Sequence, residues 1–125
     1  MTFGSPENCC RTGIFPIMHL VAVKKELAAD EKLMRAIYRG FCESKDAMVR
    51  QLVQGMTFNN MTVMIPWLSS LIARDRDLLG EDWWPFGLKA NRKSIDAYLR
   101  YHREQGLSKR RYTVEDIFVP SMLDT

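Results

Sequence analysis

The residues best suited to chemistry are concentrated between positions 81 and 93. This stretch holds two tryptophans, a phenylalanine, two carboxylates, an asparagine and three basic side chains, with Pro85 and Gly87 constraining the backbone. Ordinary connections between helices are short and polar. A connection this aromatic either fills a core or forms the wall of a ligand site, and composition alone leaves both interpretations open.

A second candidate, His19, lies in the middle of the apolar run 14–23. The length and β-branched content of this run predict a strand buried on both faces. Pro16 cannot donate to a ladder of hydrogen bonds, so it is expected near the start of the strand. A histidine there is either a satisfied polar group of the core or a functional group.

The remaining elements are predicted to be helical after an irregular segment over residues 1–13, which is rich in glycine, proline and other breakers. The first helix is expected from Glu26 to about Gln54. Asp30 is its candidate N-cap, and Gly55 is a natural C-terminal stop.

Three further helices follow from local signals. Pro66 suits the first turn of a helix that ends at Gly80. Asn91 is a good N-cap for the next helix, which Gly106 would end. Residues 113–116 resemble a capping box that starts one last short helix.

Composition argues against a nucleic-acid partner. A chain of 125 residues is at most one ordinary domain. The net charge of +3 is evenly spread, whereas nucleic-acid binders concentrate basic charge on one face. The one basic cluster, residues 109–111, is interpreted as a solvated loop. No nucleic-acid partner is therefore expected.

The cysteines and the length of the apolar runs are the sequence features that bear on the cellular compartment. Cys9, Cys10 and Cys42 have no CxxC spacing and predict reduced thiols in a cytosolic protein. No apolar run reaches the length of a membrane span, and residues 1–6 lack the features of a signal peptide. The sequence therefore predicts a cytoplasmic protein without a membrane partner.

Four segments resemble a known family. They are Gly13-Ile-Phe-Pro-Ile-Met-His19, Pro66-Trp-Leu, the stretch 79–93 around Trp83-Trp-Pro-Phe-Gly, and residues 99–108. Together they look like the C-terminal part of the 4,5-dihydroxyphthalate decarboxylase family, over residues 13–119.

The resemblance implies an α/β fold like that of type II periplasmic substrate-binding proteins, with two lobes and a ligand cleft at the hinge. Family members are well over twice this length. Residues 14–125 are accordingly expected to be an incomplete C-terminal portion of such a domain. The run 14–23 would be its main hinge-crossing strand, and the rest of the portion would be mostly helical.

The activity implied is non-oxidative decarboxylation of a hydroxylated aromatic dicarboxylate. This reaction needs an acid to protonate the ring carbon and a cation to hold a carboxylate. His19 is the implied acid, or an anchor for a ring hydroxyl. Arg92 is the implied carboxylate-binding residue, with its place in the first turn of a helix adding backbone N–H groups.

The implied substrate-binding residues are those of the aromatic stretch, each with a structural alternative. Aromatic walls exclude water and stack on a ring, but the same side chains also fill cores, carboxylates are often solvated, and an asparagine often caps a helix. His102 is interpreted as packing or surface. Trp83, Trp84 and Phe86 are the candidate aromatic walls. Glu81 and Asp82 are candidates to bind a ring hydroxyl or to orient a base, and Asn91 is a candidate substrate contact.

No cofactor is expected, because no cluster of histidine and carboxylates has metal-ligand spacing. The sequence leaves open whether a divalent cation is held partly by residues outside this chain. The expected partner is a small aromatic carboxylate, and self-association that covers exposed strand edges also stays open. Two alternatives remain: a protein that binds small carboxylates without turnover, and a truncated product that is inactive alone.

Overall fold

The computed structural model describes residues 6–57 and 64–125. Five helices form there: α1 (Pro6–Thr12), α2 (Glu31–Thr57), α3 (Leu68–Leu79), α4 (Leu88–Glu104) and α5 (Val114–Ile117), followed by a 3-10 turn over Pro120–Met122. Two compact units result. Met1–Met34 and Pro85–Thr125 form the first unit, and Arg35–Trp84 form the second.

The mostly helical prediction is confirmed, but the predicted strand is wrong. Residues 14–23 have no regular secondary structure, and no strand forms elsewhere among the described residues. Four of the apolar side chains are between 37% and 68% exposed, namely Ile17, Met18, Leu20 and Val21. An isolated strand has no ladder to stabilise it. Apolar and β-branched content alone is therefore not enough to make residues 14–23 form a strand.

The N-terminal segment also differs from the sequence expectation. Residues 6–12, expected to be irregular, form α1. The Thr12 hydroxyl donates to the main-chain oxygen of Asn8 at 2.6 Å, and the same hydroxyl accepts the N–H of Ile14 at 3.2 Å. These bonds satisfy backbone groups at the end of the helix, where intrahelical partners run out.

The core of the first unit lies between α4, α5 and the C-terminal turn. Its buried members are Leu88, Ile95, Leu99 and Val114, with Val114 completely inaccessible. Spacings of seven and four residues place the three α4 members on one face of that helix. Three partly buried residues of the C-terminal region pack against them: Tyr112, Phe118 and Leu123.

Helix α4 begins four residues earlier than predicted, so Asn91 is not its N-cap. The helix starts at Leu88, after Gly87 in a positive-φ conformation (φ 96°) that favours glycine. The first N–H groups are bound by the last residue: Leu88 donates to the Thr125 hydroxyl at 3.2 Å, and Lys89 donates to the Thr125 main-chain oxygen at 2.6 Å. A distant residue thus takes the part that a local cap usually plays.

Replacing Thr125 with valine should lower the free energy of unfolding by about 0.5–2 kcal/mol, the usual effect of losing a helix cap. The valine has a similar shape but cannot accept the Leu88 N–H. Urea denaturation followed by circular dichroism measures the change. Thr125→Ser keeps the hydroxyl and serves as the control. Equal stability of both variants would show that the hydroxyl does not cap α4.

The other helix ends follow local signals more closely. Asp30 is confirmed as the N-cap of α2, since its Oδ1 accepts the N–H of Leu33 at 3.0 Å. The stop predicted at Gly55 is wrong, because α2 continues to Thr57. A glycine inside a helix costs only about 1 kcal/mol relative to alanine, so it does not have to end one. Helix α3 does end at Gly80 (φ 92°), as predicted, but it begins at Leu68 after Trp67, so Pro66 lies before the helix and not in its first turn.

Gly106 (φ 74°) ends α4 in a Schellman arrangement. Leu107 donates its N–H to the carbonyl of His102 at 3.0 Å, and Gly106 donates to that of Arg103 at 3.1 Å. The capping box over residues 113–116 is also confirmed. The Thr113 N–H donates to Asp116 Oδ2 at 2.8 Å, so an aspartate fills the place that glutamate usually takes.

Candidate functional site

The predicted site residues are divided between the two units. Glu81, Trp83 and Trp84 belong to the second unit, whereas His19, Phe86, Asn91 and Arg92 belong to the first. The aromatic stretch 81–93 is therefore shared between two compact bodies.

The second unit contains a cavity of about 270 Å³. Three side chains of α2, namely Lys45, Asp46 and Val49, line it together with residues 81–84. The volume is just below the range of about 300–1,000 Å³ that is typical of small-molecule sites. Two tryptophans and several charged residues thus line a half-open pocket of small volume.

Lys45 is one of three cavity-lining residues of α2, with Asp46 and Val49, that sequence reasoning missed. Its ammonium donates to Asp82 Oδ1 at 2.9 Å and to Oδ2 at 3.0 Å, and it approaches the carbonyl of Trp84 at 3.5 Å. The Lys45 side chain is only 13% exposed, whereas that of Asp82 is 59% exposed. The available signal was its position on α2, three residues beyond Cys42 and seven beyond Tyr38, which places all three on one face.

Electrostatics around the cavity favour neutral or positively charged groups. Lys45 is matched by Asp82, and Glu81 pairs with Arg76. Asp46 also lines the cavity and pairs with no basic side chain within the described part of the chain. One carboxylate is therefore left without a matching cation.

The phenol of Tyr38 also lies on this face of α2. Burial raises the pKa of Tyr38 above its usual value, and the hydrogen bond with Cys42 and the nearby charge of Asp82 raise it further. Each of these effects disfavours the phenolate. Tyr38 therefore remains a neutral hydroxyl at physiological pH.

His19 lies on the irregular segment of the first unit and is exposed. Its ring makes no hydrogen bond, ion pair or ring contact with the described residues. No neighbouring group among those residues fixes the orientation or the tautomer of the ring.

Arg92 is already paired with carboxylates. Its Nε lies 3.2 Å from Asp96 Oδ2 and its Nη2 lies 3.0 Å from Glu115 Oε1. The hydrogen bond with Glu115 is the main cause that raises the pKa of Arg92. The guanidinium side chain is 45% exposed, so a ligand carboxylate can reach it only by competing with these partners.

The placement of Arg92 in the first turn of a helix was wrong. Because α4 begins at Leu88, Arg92 opens the second turn. The N–H groups of Leu88 and Lys89 in the true first turn already donate to Thr125. The helix N-terminus therefore does not offer these two donors to a ligand anion.

Asn91 and Phe86 lie at the turn that precedes α4 in the first unit. The Asn91 amide donates to the main-chain oxygens of Pro85 at 2.8 Å and Gly87 at 2.9 Å. Asn91 thus ties the turn before α4 to the helix. Phe86 is half-buried next to this turn.

Acidification should destabilise the first unit. The main-chain N–H and the hydroxyl of Thr113 lower the pKa of Asp116, and the Glu115 main-chain N–H, followed by Arg92, lowers the pKa of Glu115. Because folding lowers the pKa values of both carboxyl groups, their ionised forms stabilise the folded state at pH values above the unfolded-state pKa of about 4. This stabilisation is lost as the pH falls through the lower pKa values of the folded state. Urea denaturation across this range should show a decline that Asp116→Asn makes shallower. Identical pH profiles would contradict the assignment.

The described residues hold no group of three or more histidine, cysteine, aspartate or glutamate side chains able to bind a metal ion. None of the helices in the described ranges is both long and apolar enough to cross a bilayer.

Comparison with known proteins gives one informative match. The chain is 30% identical over 116 residues to the 4,5-dihydroxyphthalate decarboxylase of Comamonas testosteroni. The match covers 92% of this chain and 34% of the relative, so the chain spans about a third of that protein's length. No protein-family model matches the chain. The resemblance seen in the sequence motifs is confirmed as distant homology to this decarboxylase.

Proposed function

We propose that the chain supplies part of a site for non-oxidative decarboxylation of a hydroxylated aromatic dicarboxylate such as 4,5-dihydroxyphthalate. The observation that carries the proposal is the 30% identity to a decarboxylase of that name over 92% of the chain. Because the match runs along nearly the whole chain, it includes most of the predicted site residues rather than one short motif.

The reaction breaks the bond between a ring carbon and its carboxylate. The bonding electrons stay on the ring carbon, a proton is added there, and CO2 leaves. The hydroxyl para to this carbon supplies electron density. In our proposal the imidazolium of His19 gives its proton to the ring carbon and recovers one from solvent, which its exposure permits.

Arg92 is proposed to bind a substrate carboxylate by exchange. Its pairs with Asp96 and Glu115 lie at the surface, where ion pairs contribute about 0–1 kcal/mol. A planar carboxylate that binds the guanidinium through two oxygens can therefore replace Glu115 at little cost. Phe86, in the unit that also holds His19 and Arg92, is proposed to cover a face of the ring and exclude water, and Trp83 and Trp84 are proposed as aromatic binding surfaces of the second unit.

The proposed wider architecture is a two-lobed α/β fold like that of type II periplasmic substrate-binding proteins. Residues 14–23 would form a strand once a neighbouring strand is supplied, in a longer protein of that kind. The exposure of Met18, Leu20 and Val21 supports this idea, because a sheet would bury apolar side chains of this kind.

A chimera tests the function whatever the length of the natural protein. The matched part of the Comamonas testosteroni decarboxylase is replaced by the 116 matched residues of this chain, and 4,5-dihydroxyphthalate is added with and without a divalent cation. We expect release of CO2 and formation of 3,4-dihydroxybenzoate. A chimera that unfolds cooperatively, as the relative does, but shows no turnover in either condition would reject the proposal.

A second candidate is binding of an aromatic carboxylate without turnover. The specific observation in its favour is that no described residue orients the His19 ring. Binding of 4,5-dihydroxyphthalate by a folded chimera, measured by calorimetry and accompanied by no CO2, would favour this candidate over the enzyme.

A further inference from the structure

Ser94 of α4 binds the segment that carries His19. The main-chain N–H of Phe15 donates to the Ser94 hydroxyl at 3.2 Å, across 79 positions of sequence. Both residues belong to the first unit and are half-buried. The next residue, Pro16, has no N–H to donate. The bond therefore ties the segment to the helix just before the exposed residues 17–20 begin.

The residue two positions earlier in the segment also lies against α4. Lys93 Nζ is 3.0 Å from the position that a Cβ atom on Gly13 would take. Gly13 has a φ of 62°, which favours glycine, and its N–H donates to the carbonyl of Cys9 at 2.7 Å. The chain thus leaves α1 on a path that brings it onto the second turn of α4, where Ser94 binds it.

This contact limits where His19 can lie. An extended chain spans at most about 3.6 Å per residue, so the Cα atom of His19 is at most about 14 Å from that of Phe15. After Phe15 and up to His19, the segment makes no further hydrogen bond with the described residues. The bond to Ser94 is therefore the attachment nearest to His19 on its N-terminal side.

We propose that Ser94 is a positioning residue for His19. Its hydroxyl holds the segment on α4, two residues beyond Arg92, so that the imidazole and the guanidinium meet the same substrate. The inference rests on the proposed function, in which His19 donates the proton and Arg92 binds a carboxylate. A neutral hydrogen bond changes the ratio of held to released segment by up to about tenfold, and the reaction requires the acid in its correct place.

Hydrogen exchange of the 125-residue chain tests the contact without any substrate. Ser94→Ala removes the acceptor but favours the helix, so the Phe15 amide should exchange up to about tenfold faster. The Leu99 amide, in the core of the same unit, should keep its rate and so report that the unit stays folded. Ser94→Thr retains a hydroxyl and should restore the Phe15 rate. The matched control is Ser70→Ala, which removes an exposed hydroxyl of α3.

A double-mutant cycle in the chimera tests the role in the reaction. Ser94→Ala should lower kcat by up to about tenfold, with KM much less changed, whereas Ser94→Thr and Ser70→Ala should stay close to the parent. In the His19→Ala background, Ser94→Ala should lower kcat no further, because Ser94 acts only through His19. A merely structural role of Ser94 would lower kcat equally in both backgrounds.

Three results would overturn the inference: an unchanged Phe15 exchange rate in folded Ser94→Ala, an unchanged kcat in that variant, or an equal loss of kcat with and without His19. An active chimera that ignores Ser94→Ala would reject this inference alone. An inactive parent chimera would reject the decarboxylase and with it the role of Ser94 in the reaction, whereas a Phe15 exchange rate that depends on Ser94 would still support the contact.

Discussion

Replacing His19 with alanine is expected to lower kcat for decarboxylation by about 10²- to 10⁴-fold, the usual contribution of a general acid. The measurement is CO2 release by the chimera that carries this chain's residues. Because alanine removes the proton donor but little binding surface, KM should change much less than kcat. This pattern would assign His19 to the chemical step rather than to substrate binding.

The second histidine of the chain supplies the matched control. His102 lies on α4, with its ring centroid 5.6 Å from that of Tyr98, and sequence analysis assigned it to packing or surface. His102→Ala should leave kcat close to the parent value. If His19→Ala keeps full kcat, the acid is a different group. If both variants lose activity equally, the loss reflects folding instead of proton transfer.

Replacing Leu99 with alanine is expected to lower the free energy of unfolding by about 2–5 kcal/mol, the range for large-to-small changes in a core. Leu99 is 7% exposed and belongs to the cluster with Leu88, Ile95 and Val114. Alanine removes buried apolar surface and leaves a cavity between α4 and α5. Urea denaturation monitored by circular dichroism gives the difference in midpoint and in slope.

Leu107→Ala is the control for this core, because the Leu107 side chain is 65% exposed. Its effect should stay within about 0.5 kcal/mol. Alanine at position 107 also keeps the main-chain N–H that closes α4. Similar losses from the two replacements would mean that the cluster around Val114 is not the stabilising core of the first unit.

Helix ends were the part of the fold best predicted from sequence. Asp30, Gly80, Gly106 and the capping box at 113–116 all act within four residues of the backbone groups they bind or terminate. Such signals are local, so a pattern of residue types carries nearly all the information. The failures at Gly55 and Asn91 also concern helix ends, and at Asn91 a distant residue took over the capping role.

Contacts between distant residues were not predictable in the same way. The bond from Leu88 to Thr125 and the bond from Lys45 to Asp82 each join residues 37 positions apart. Neither pair carries a motif. The sequence therefore predicted that residues 81–84 could wall a site, but it did not identify the lysine that faces them.

Residues 14–23 show that the intrinsic preference of a segment for the β conformation does not by itself produce a strand. Its composition is that of a buried strand, yet the described residues offer no second strand with which it can pair. Strand formation depends on neighbours far more than helix formation does, because every ladder hydrogen bond comes from another segment. The same residues can therefore be irregular in this structure and a strand in a protein that supplies the partner.

Release of CO2 from 4,5-dihydroxyphthalate by the chimera tests the central claim most directly. The account predicts turnover that yields 3,4-dihydroxybenzoate, falls sharply with His19→Ala and persists with His102→Ala. A folded chimera that binds the substrate but releases no CO2, with or without a divalent cation, would contradict it.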